Sequence, residues 1–558
     1  MIKKILFCVN YVKTGSHSTD RTILNNLNLL TFSGIYLTIF RYFLYKDSDY
    51  RDLNMLNINN NSNAIKKKIL VRLAQLQLEG RLTDREVNAI PKEIIPKDAK
   101  PFSCCIYHDR ELIKMRTLAR LGFSIEKYDE DKEISDYAEE ALERDKPTWP
   151  MLTVLHEACN ACVKQDYMVT NACQGCFARP CMMNCPKKAI HIVHHAHIDA
   201  AKCIHCGLCA QNCPYHAIIK ITVPCEAACP VGAISKGADG HEVIDYHKCI
   251  FCGNCMRECP FGAMMDKSQL VDVIKHIMQK KRRVTALYAP AIASQFKIQP
   301  AQFETALLSA GFDIVLEVAL GADICAEKEA GEFEERMARG DKVMTTSCCS
   351  AYVRAVRKHV PELIPCVSET RSPMHYTAEL AKKNDPDCIT VFIGPCLAKR
   401  REGMDDECVD YVLTVEEIDA FFSAKNIELS KLVPAEKHKN VPTQSARNFA
   451  KTGGVAQAVK VRLKHPEILK ADIIDGLNKA GMEKLKFYGQ INVGNIQPEP
   501  EHGNLVEVMA CPGGCIAGPS AITNVKAATV LLERYVKEGL EDKTENQKIQ
   551  TADNYIQG

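Results

Sequence analysis

Apolar residues recur at helical spacing over the early part of the chain. In "AIKKKILVRLAQLQLEGRLTDREVNAI" (64–90), Leu70, Leu73, Leu76 and Leu78 fall near a 3.6-residue period with charges between them, which predicts an amphipathic helix. "PKEIIPKDAKP" breaks the pattern; "RELIKMRTLARLGF" (110–123) resumes it and is predicted to stop at Gly122. From about residue 268 the texture changes. Short apolar runs, "RVTALYAP", "CITVFIGP" and "NLVEVMAC", alternate with helical stretches such as "FETALLSAGF". Such runs predict strands of parallel sheets covered on both faces, with ligand sites gathered at their carboxyl ends.

Length and composition narrow the class. At 558 residues, two to four domains are expected. A net charge of +2 gives no electrostatic reason to expect nucleic acid as a partner. The basic run "KHIMQKKRR" (275–283) reads as a solvated helix end. "LNLLTFSGIYLTIFRYFLY" (27–45) falls short of a membrane span, because its uncharged stretch is too brief and Arg41 and Asn28 lie in it. Residues 1–63 are read as an unassigned extension.

The 28 cysteines are the unusual feature. They cluster, and no charged–apolar–small leader opens the chain, so reduced, metal-binding thiols in a cytoplasmic protein are expected. Cys-Pro-x-x-Ala occurs four times, from Cys185, Cys213, Cys229 and Cys259, which marks a copied structural unit. "CIHCGLCAQNCP" (Cys203, Cys206, Cys209, Cys213) and "CIFCGNCMRECP" (Cys249, Cys252, Cys255, Cys259) carry the spacing of ferredoxin-type [4Fe–4S] sites, whose fourth cysteine serves the neighbouring cluster. That rule pairs Cys203, Cys206 and Cys209 with Cys259, and Cys249, Cys252 and Cys255 with Cys213. Eight more cysteines allow two further clusters: Cys173, Cys176 and Cys181 with Cys229, and Cys159, Cys162 and Cys225 with Cys185. Two to four accessory clusters are expected. The histidines of "HIVHHAHID" (191–199) are read as the solvated face of a strand.

Three further loops carry thiols: "TTSCCSAYV" (345–353), "IGPCLAKRREG" (393–403) and "EVMACPGGCIAGPS" (507–520). One ligand from each of the first two and two from the last make four, enough for another cubane. One thiol of the Cys348–Cys349 doublet is then surplus and free to carry protons. Gly513, Gly514 and Gly518 are expected to let the backbone press against a bulky inorganic group.

These loops resemble, in order, the three signature segments of [FeFe]-hydrogenases, most closely those of group B. The resemblance covers about 203–525 and implies a reversible reaction of protons and electrons to H2. It implies that Cys349, Cys396, Cys511 and Cys515 hold the [4Fe–4S] part of an H-cluster, with Cys515 bridging to a diiron unit bearing CO, cyanide and azadithiolate. It further implies Cys348 as the proton-delivering thiol and Lys399 as a cyanide hydrogen-bond donor. Phe449, Met509 and the Ala289–Pro290–Ala291 turn would line the diiron pocket. "GADICAEKEAGEFEERM" (321–337) resembles the family's proton-relay segment, with Glu329 and Glu332 on one helix face and Arg336 one turn on. Ser350, Tyr352, Gly394, Ala291 and Pro519 depart from the usual family residues. Implied partners are ferredoxin or a similar carrier and maturation proteins; no nucleotide motif is evident.

The fold expected is a helical segment (64–150), a ferredoxin-like α+β region (151–263) and an α/β catalytic domain (268–535) of two parallel-sheet lobes around a buried cluster. Residues 536–558 are expected to be a C-terminal tail.

Overall fold

The structure, a computed structural model, describes residues 60–159, 162, 167–434, 441–497, 499 and 502–542. The 27–45 segment considered above lies outside them. Among the described residues no helix is long and apolar enough to cross a membrane.

The N-terminal region is helical: Asn61–Leu78, Ile106–Arg120 and Ile134–Glu143 are its longest elements. The first helix is buried on two sides. Leu70 and Ala74 join the core of the large α/β sheet, while Ile69, Leu73 and Leu76 join a second core containing Ile113, Leu118 and Ala263. The helix is therefore a strut between the cysteine-rich region and the α/β domain.

Among the described residues, the cysteine-rich region is built from eight three-residue strands: β1 (Leu152–Val154), β2 (Tyr167–Val169), β3 (Ile190–Ile192), β4 (Ala196–Ile198), β5 (Ile218–Lys220), β6 (Ile234–Lys236), β7 (Glu242–Ile244) and β8 (Met264–Asp266). All pairings are antiparallel: β1 with β8, β2 with β5, β3 with β4, β6 with β7. Strands β2–β5 thus close one unit, 167–220, lying wholly between the outer strands β1 and β8 of another. One ferredoxin-like module is inserted into a second.

The α/β domain has two parallel sheets. Strands β9 (Val284–Tyr288), β10 (Ile314–Glu317), β12 (Ile389–Gly394) and β13 (Tyr411–Thr414) run in the order β10-β9-β12-β13; β11 (Met344–Thr345), β14 (Ala471–Asp475) and β15 (Leu505–Met509) run in the order β11-β15-β14. Strands β9, β12, β13 and β15 are buried at every residue, as apolar strands covered on both faces must be. The three thiol loops leave β11, β12 and β15 at their carboxyl ends.

A buried charge network ties the three regions. Asp266 of β8 accepts from Arg120 at 2.8 Å and from Arg400, and Arg400 also reaches Glu417. Against the cost of burial, Arg120, Lys66 and Arg400 hold the Asp266 carboxyl well below its ordinary range.

Candidate metal centres and proton path

The Cys-Pro-x-x-Ala repeat has a physical meaning. In each copy the alanine N–H donates to the cysteine sulfur: Ala189 to Cys185 at 3.3 Å, Ala217 to Cys213 at 3.4 Å, Ala233 to Cys229 at 3.2 Å and Ala263 to Cys259 at 3.4 Å. The turn needs a left-handed residue before the alanine, and Lys188, His216, Gly232 and Gly262 all have φ between 48° and 59°. The alanines are buried. N–H donors aimed at a thiolate favour its charged, metal-binding form and tune a cluster's potential.

The thiols assemble in sets of four, but not in the sets expected above. Cys181 lies beside Cys213, Cys176 and Cys173, and these four line one cavity. Cys209, Cys203, Cys206 and Cys185 line another. Burial, and then the charge of Cys229 among others, raises the thiols of Cys249, Cys252 and Cys255. Burial first, and then Cys259, Cys162 and Cys159 among others, push Cys225 up to about 12. All four exchanged cysteines therefore differ from the spacing-based pairing: Cys185 serves 203–209, Cys213 serves 173–181, Cys229 serves 249–255 and Cys259 serves the 159/162/225 set. Exchange does occur, but within each module, because β2–β5 and β1–β8 close the modules separately. The insertion also explains the loose spacing of Cys159, Cys162, Cys225 and Cys229. They are one C-x2-C…C-x3-C-P motif split by the 167–220 module.

A fifth set sits on the α/β domain. Burial, followed by the charges of Cys349 and Cys396, raises Cys511 and Cys515, the latter to about 12; burial and Cys349 raise Cys396 to about 11. Three loops distant in sequence thus bring four thiols together, and none of these cysteines is in a disulfide. Lys399 extends its buried ammonium among them, donating to Glu402 at 2.7 Å and to the Cys348 carbonyl at 3.3 Å. A Cβ on Gly514 would strike the Ala450 carbonyl at 2.6 Å, and one on Gly518 the Pro395 carbonyl at 2.1 Å. They let the third loop pack on its protein neighbours.

The departures from the family pattern have partners. Ser350 Oγ donates to the Ala398 carbonyl at 3.1 Å, joining the first loop to the second; Tyr352 donates to Thr345 Oγ1 at 2.5 Å. Pro519 packs on Gly253, between Cys252 and Cys255, and at Gly394 a Cβ would meet the Phe392 ring at 2.8 Å. Phe449, Met509, Cys348 and Cys349 share one apolar cluster. Ala291 packs with Ala450, Ile516 and Cys515 in another; Ala289 is buried at the end of β9, and Pro290 at the start of the following turn.

Cys348 is raised well above the ordinary thiol range, by burial and then by Glu329. Glu329 is fully buried on the helix Ala319–Arg339 and is pushed up to about 7, chiefly by burial. Its Oε1 accepts from Ser347 N at 3.2 Å and Ser347 Oγ at 3.4 Å, and its Oε2 has no hydrogen-bond partner among the described residues. The Ser347 hydroxyl also reaches the Thr370 carbonyl. With one hydrogen it serves one acceptor at a time. Thr370 Oγ1 donates to Glu332 at 3.0 Å, and Glu332 also accepts from Ser368, the Glu369 N–H and, at 2.7 Å, Arg336. Those donors outweigh burial and lower Glu332. Two carboxyls one helical turn apart are thus set apart in acidity, one neutral-poised and inner, one ionised and outer.

Sequence reading missed Ser347, Ser368 and Thr370, which carry no spacing signal, and Glu402. It also missed Glu507, a carboxylate inside the otherwise apolar β15, which accepts from Gly453 N at 2.7 Å and Ala456 N at 2.8 Å and holds the turn after Phe449. Its charged side chain in an apolar run was the available signal.

The module that encloses 167–220 abuts this site. Lys358, on the helix following Cys349, donates to the Cys249 carbonyl at 2.7 Å, and Arg257 lies 3.5 Å from the Ala517 carbonyl. Cys255 in turn feels Cys225 of the adjoining set.

Four-thiol sets in ferredoxin-like modules, packed against a fifth set at the strand ends of a parallel-sheet domain, define an iron–sulfur redox protein. Soft thiol donors in fours fit [4Fe–4S] groups, and the unpartnered buried Glu329 Oε2 beside Cys348 fits a further group at the fifth set. Residues 282–519 match the C-terminal domain of the iron-only hydrogenase large subunit, and 196–219 and 242–265 match the 4Fe-4S binding domain. The likeness to the iron-only hydrogenase family runs through that C-terminal domain. It is 29% identical over 385 residues to the periplasmic [Fe] hydrogenase large subunit of Nitratidesulfovibrio vulgaris, covering 60% of this chain and 87% of that one. It is 27% identical over 372 residues to iron hydrogenase 1 of Clostridium pasteurianum, covering 58% and 64%. It is also 24% identical over 281 residues to the cytosolic Fe-S cluster assembly factor NAR1 of Kluyveromyces lactis, covering 38% and 59%.

Proposed function

We propose that this chain is a hydrogenase interconverting H2 with two protons and two electrons. The observation that carries the reading is the surplus thiol, Cys348, standing beside four clustered thiols with a neutral-poised carboxyl behind it. Cys349, Cys396, Cys511 and Cys515 would hold the H-cluster, and that group supplies the redox chemistry at hydrogen when bound. Lys399 places a positive charge against this anionic site. Phe449, Met509 and Ala289–Pro290–Ala291 wall it from water.

Protons move on the chain's own atoms. Cys348 Sγ, kept protonated, gives its proton inward and is recharged from Glu329. A carboxyl near pKa 7 is half-protonated at neutral pH and serves equally as donor and acceptor. Ser347 and Thr370 link it to Glu332, which Arg336 orients toward the exterior. Electrons follow the four accessory thiol sets. The inserted module is the entry for the carrier: it has five lysines and arginines against one aspartate, and Phe177, Met183, Val193 and Ile204 lie open on it. A small acidic carrier of ferredoxin type complements that surface.

The test is hydrogen evolution by the anaerobically matured protein with a reduced carrier. Cys348→Ala is expected to keep the clusters and lose at least about a hundredfold in rate; an unchanged rate would refute the relay. A second reading, iron–sulfur assembly without turnover, draws on the likeness to NAR1. It requires matured, fully loaded protein to evolve no hydrogen.

A further inference from the structure

Away from the thiol sets, His375, Asp406, Glu407 and Cys408 bring one imidazole nitrogen, two carboxylate oxygens and one thiol within 4.8 Å of one another. His375 stands on the helix Pro373–Asn384, and the other three on the loop between the helix Ala398–Asp405 and β13. His375 and Asp406 are buried, Cys408 is half-buried and Glu407 is exposed. Asp406 accepts from His375 Nδ1 at 2.9 Å, Cys408 N at 2.9 Å and Arg371 Nη2 at 2.9 Å; Arg371 reaches Glu407 at 3.3 Å. Despite burial, His375 and Arg371 hold the Asp406 carboxyl down at about 2, so it is charged at any working pH.

The Cys408 thiol faces these anions. Burial raises it, and Asp406 and Glu407 raise it further. The Arg371 guanidinium balances the group, and its side chain is 48% exposed and able to turn to water. Magnesium and calcium seek oxygen alone. A mixture of nitrogen, sulfur and carboxylate oxygen in one place suits a borderline dication.

We propose that His375, Asp406, Glu407 and Cys408 form a binding site for a zinc-class divalent ion that competes with Arg371 and brakes proton delivery. On binding, the Cys408 proton leaves to water, the His375 proton passes by way of water from Nδ1 to Nε2 so that Nδ1 becomes a neutral ligand, and Arg371 swings out. Arg371 follows Thr370 directly, whose hydroxyl bonds Glu332 and whose carbonyl takes the Ser347 hydroxyl. Releasing the Arg371 tether loosens that segment. The braking arm rests on the hydrogenase reading; the binding arm does not.

The experiment uses the anaerobic protein with its clusters loaded, treated with zinc chloride and desalted. Expected are one retained zinc per chain and a zinc-edge X-ray absorption shell of one sulfur with nitrogen and oxygen. Retention in Cys408→Ser, and in His375→Gln as a second variant, falls by at least about tenfold. Hydrogen evolution slows with zinc occupancy in the parent and not in Cys408→Ser. No retained zinc, an all-sulfur shell, or equal retention in both variants would overturn the site. Bound zinc with unchanged turnover would overturn the brake. A chain that evolves no hydrogen would refute the functional reading, while the zinc count still decides the site.

Discussion

In the inserted module (167–220) Cys206 is exposed, and its core consists of its own residues: Cys181, Ile190, Ala196, Cys209 and Ile218. In the module that encloses it, Cys159, Cys225, Cys249 and Cys255 are buried, and the core runs on into Leu397 of the α/β domain. Both modules have the same four-thiol grammar and the same N–H···S turns. What differs is what surrounds them. The inserted module leaves Cys206 and several apolar side chains open; the enclosing one is clamped to the fifth thiol set by Asp266, Lys358 and Arg257.

The largest expected effect tests the clamp. Asp266→Ala leaves Arg120 and Arg400 buried without their shared carboxylate and should cost about 3–5 kcal/mol, read as a drop in the denaturant midpoint of the whole chain. A loss confined to one module would break the comparison.

Glu329 stands behind Cys348 and Ser347. Its folded pKa, about 7, lies above the ordinary 4.5 of the unfolded chain, so the native state holds an extra proton between those values and stability falls as pH rises through them. Glu329→Gln removes this penalty. Its advantage over the parent should be near zero at acid pH and grow to roughly 3 kcal/mol above pH 7, measured by unfolding at both. Turnover should fall with it, since the amide passes no proton in that way.

Replacing residues 167–220 by a short glycine linker tests the inserted module. The variant should lose about eight irons, the content of two cubanes. It should keep turnover with a small chemical reductant and raise KM for a protein carrier roughly tenfold. Lost folding would show the modules to be equally built in. Smallest, Lys187→Glu with Lys188→Glu should raise that KM about threefold at low salt and little at high salt.

Much of this was legible in the sequence. The apolar runs located β9, β12 and β15, and the cysteine spacings located the sets. Local spacing could not reveal which fourth cysteine completes which set. That depends on β1 finding β8 across the inserted module, a pairing between residues 152–154 and 264–266 with no local signal. The hydroxyls of the proposed relay were hidden for the opposite reason: Ser347 and Thr370 are ordinary residues distinguished only by position.

Four thiols from three loops are proposed to hold a hydrogen-converting group beside Cys348. Infrared spectroscopy of the anaerobically matured chain decides whether that group is there. Stretches of metal-bound CO and cyanide are expected, unchanged in Cys348→Ala. Protein carrying its full complement of iron–sulfur clusters but showing none of these bands would contradict the account.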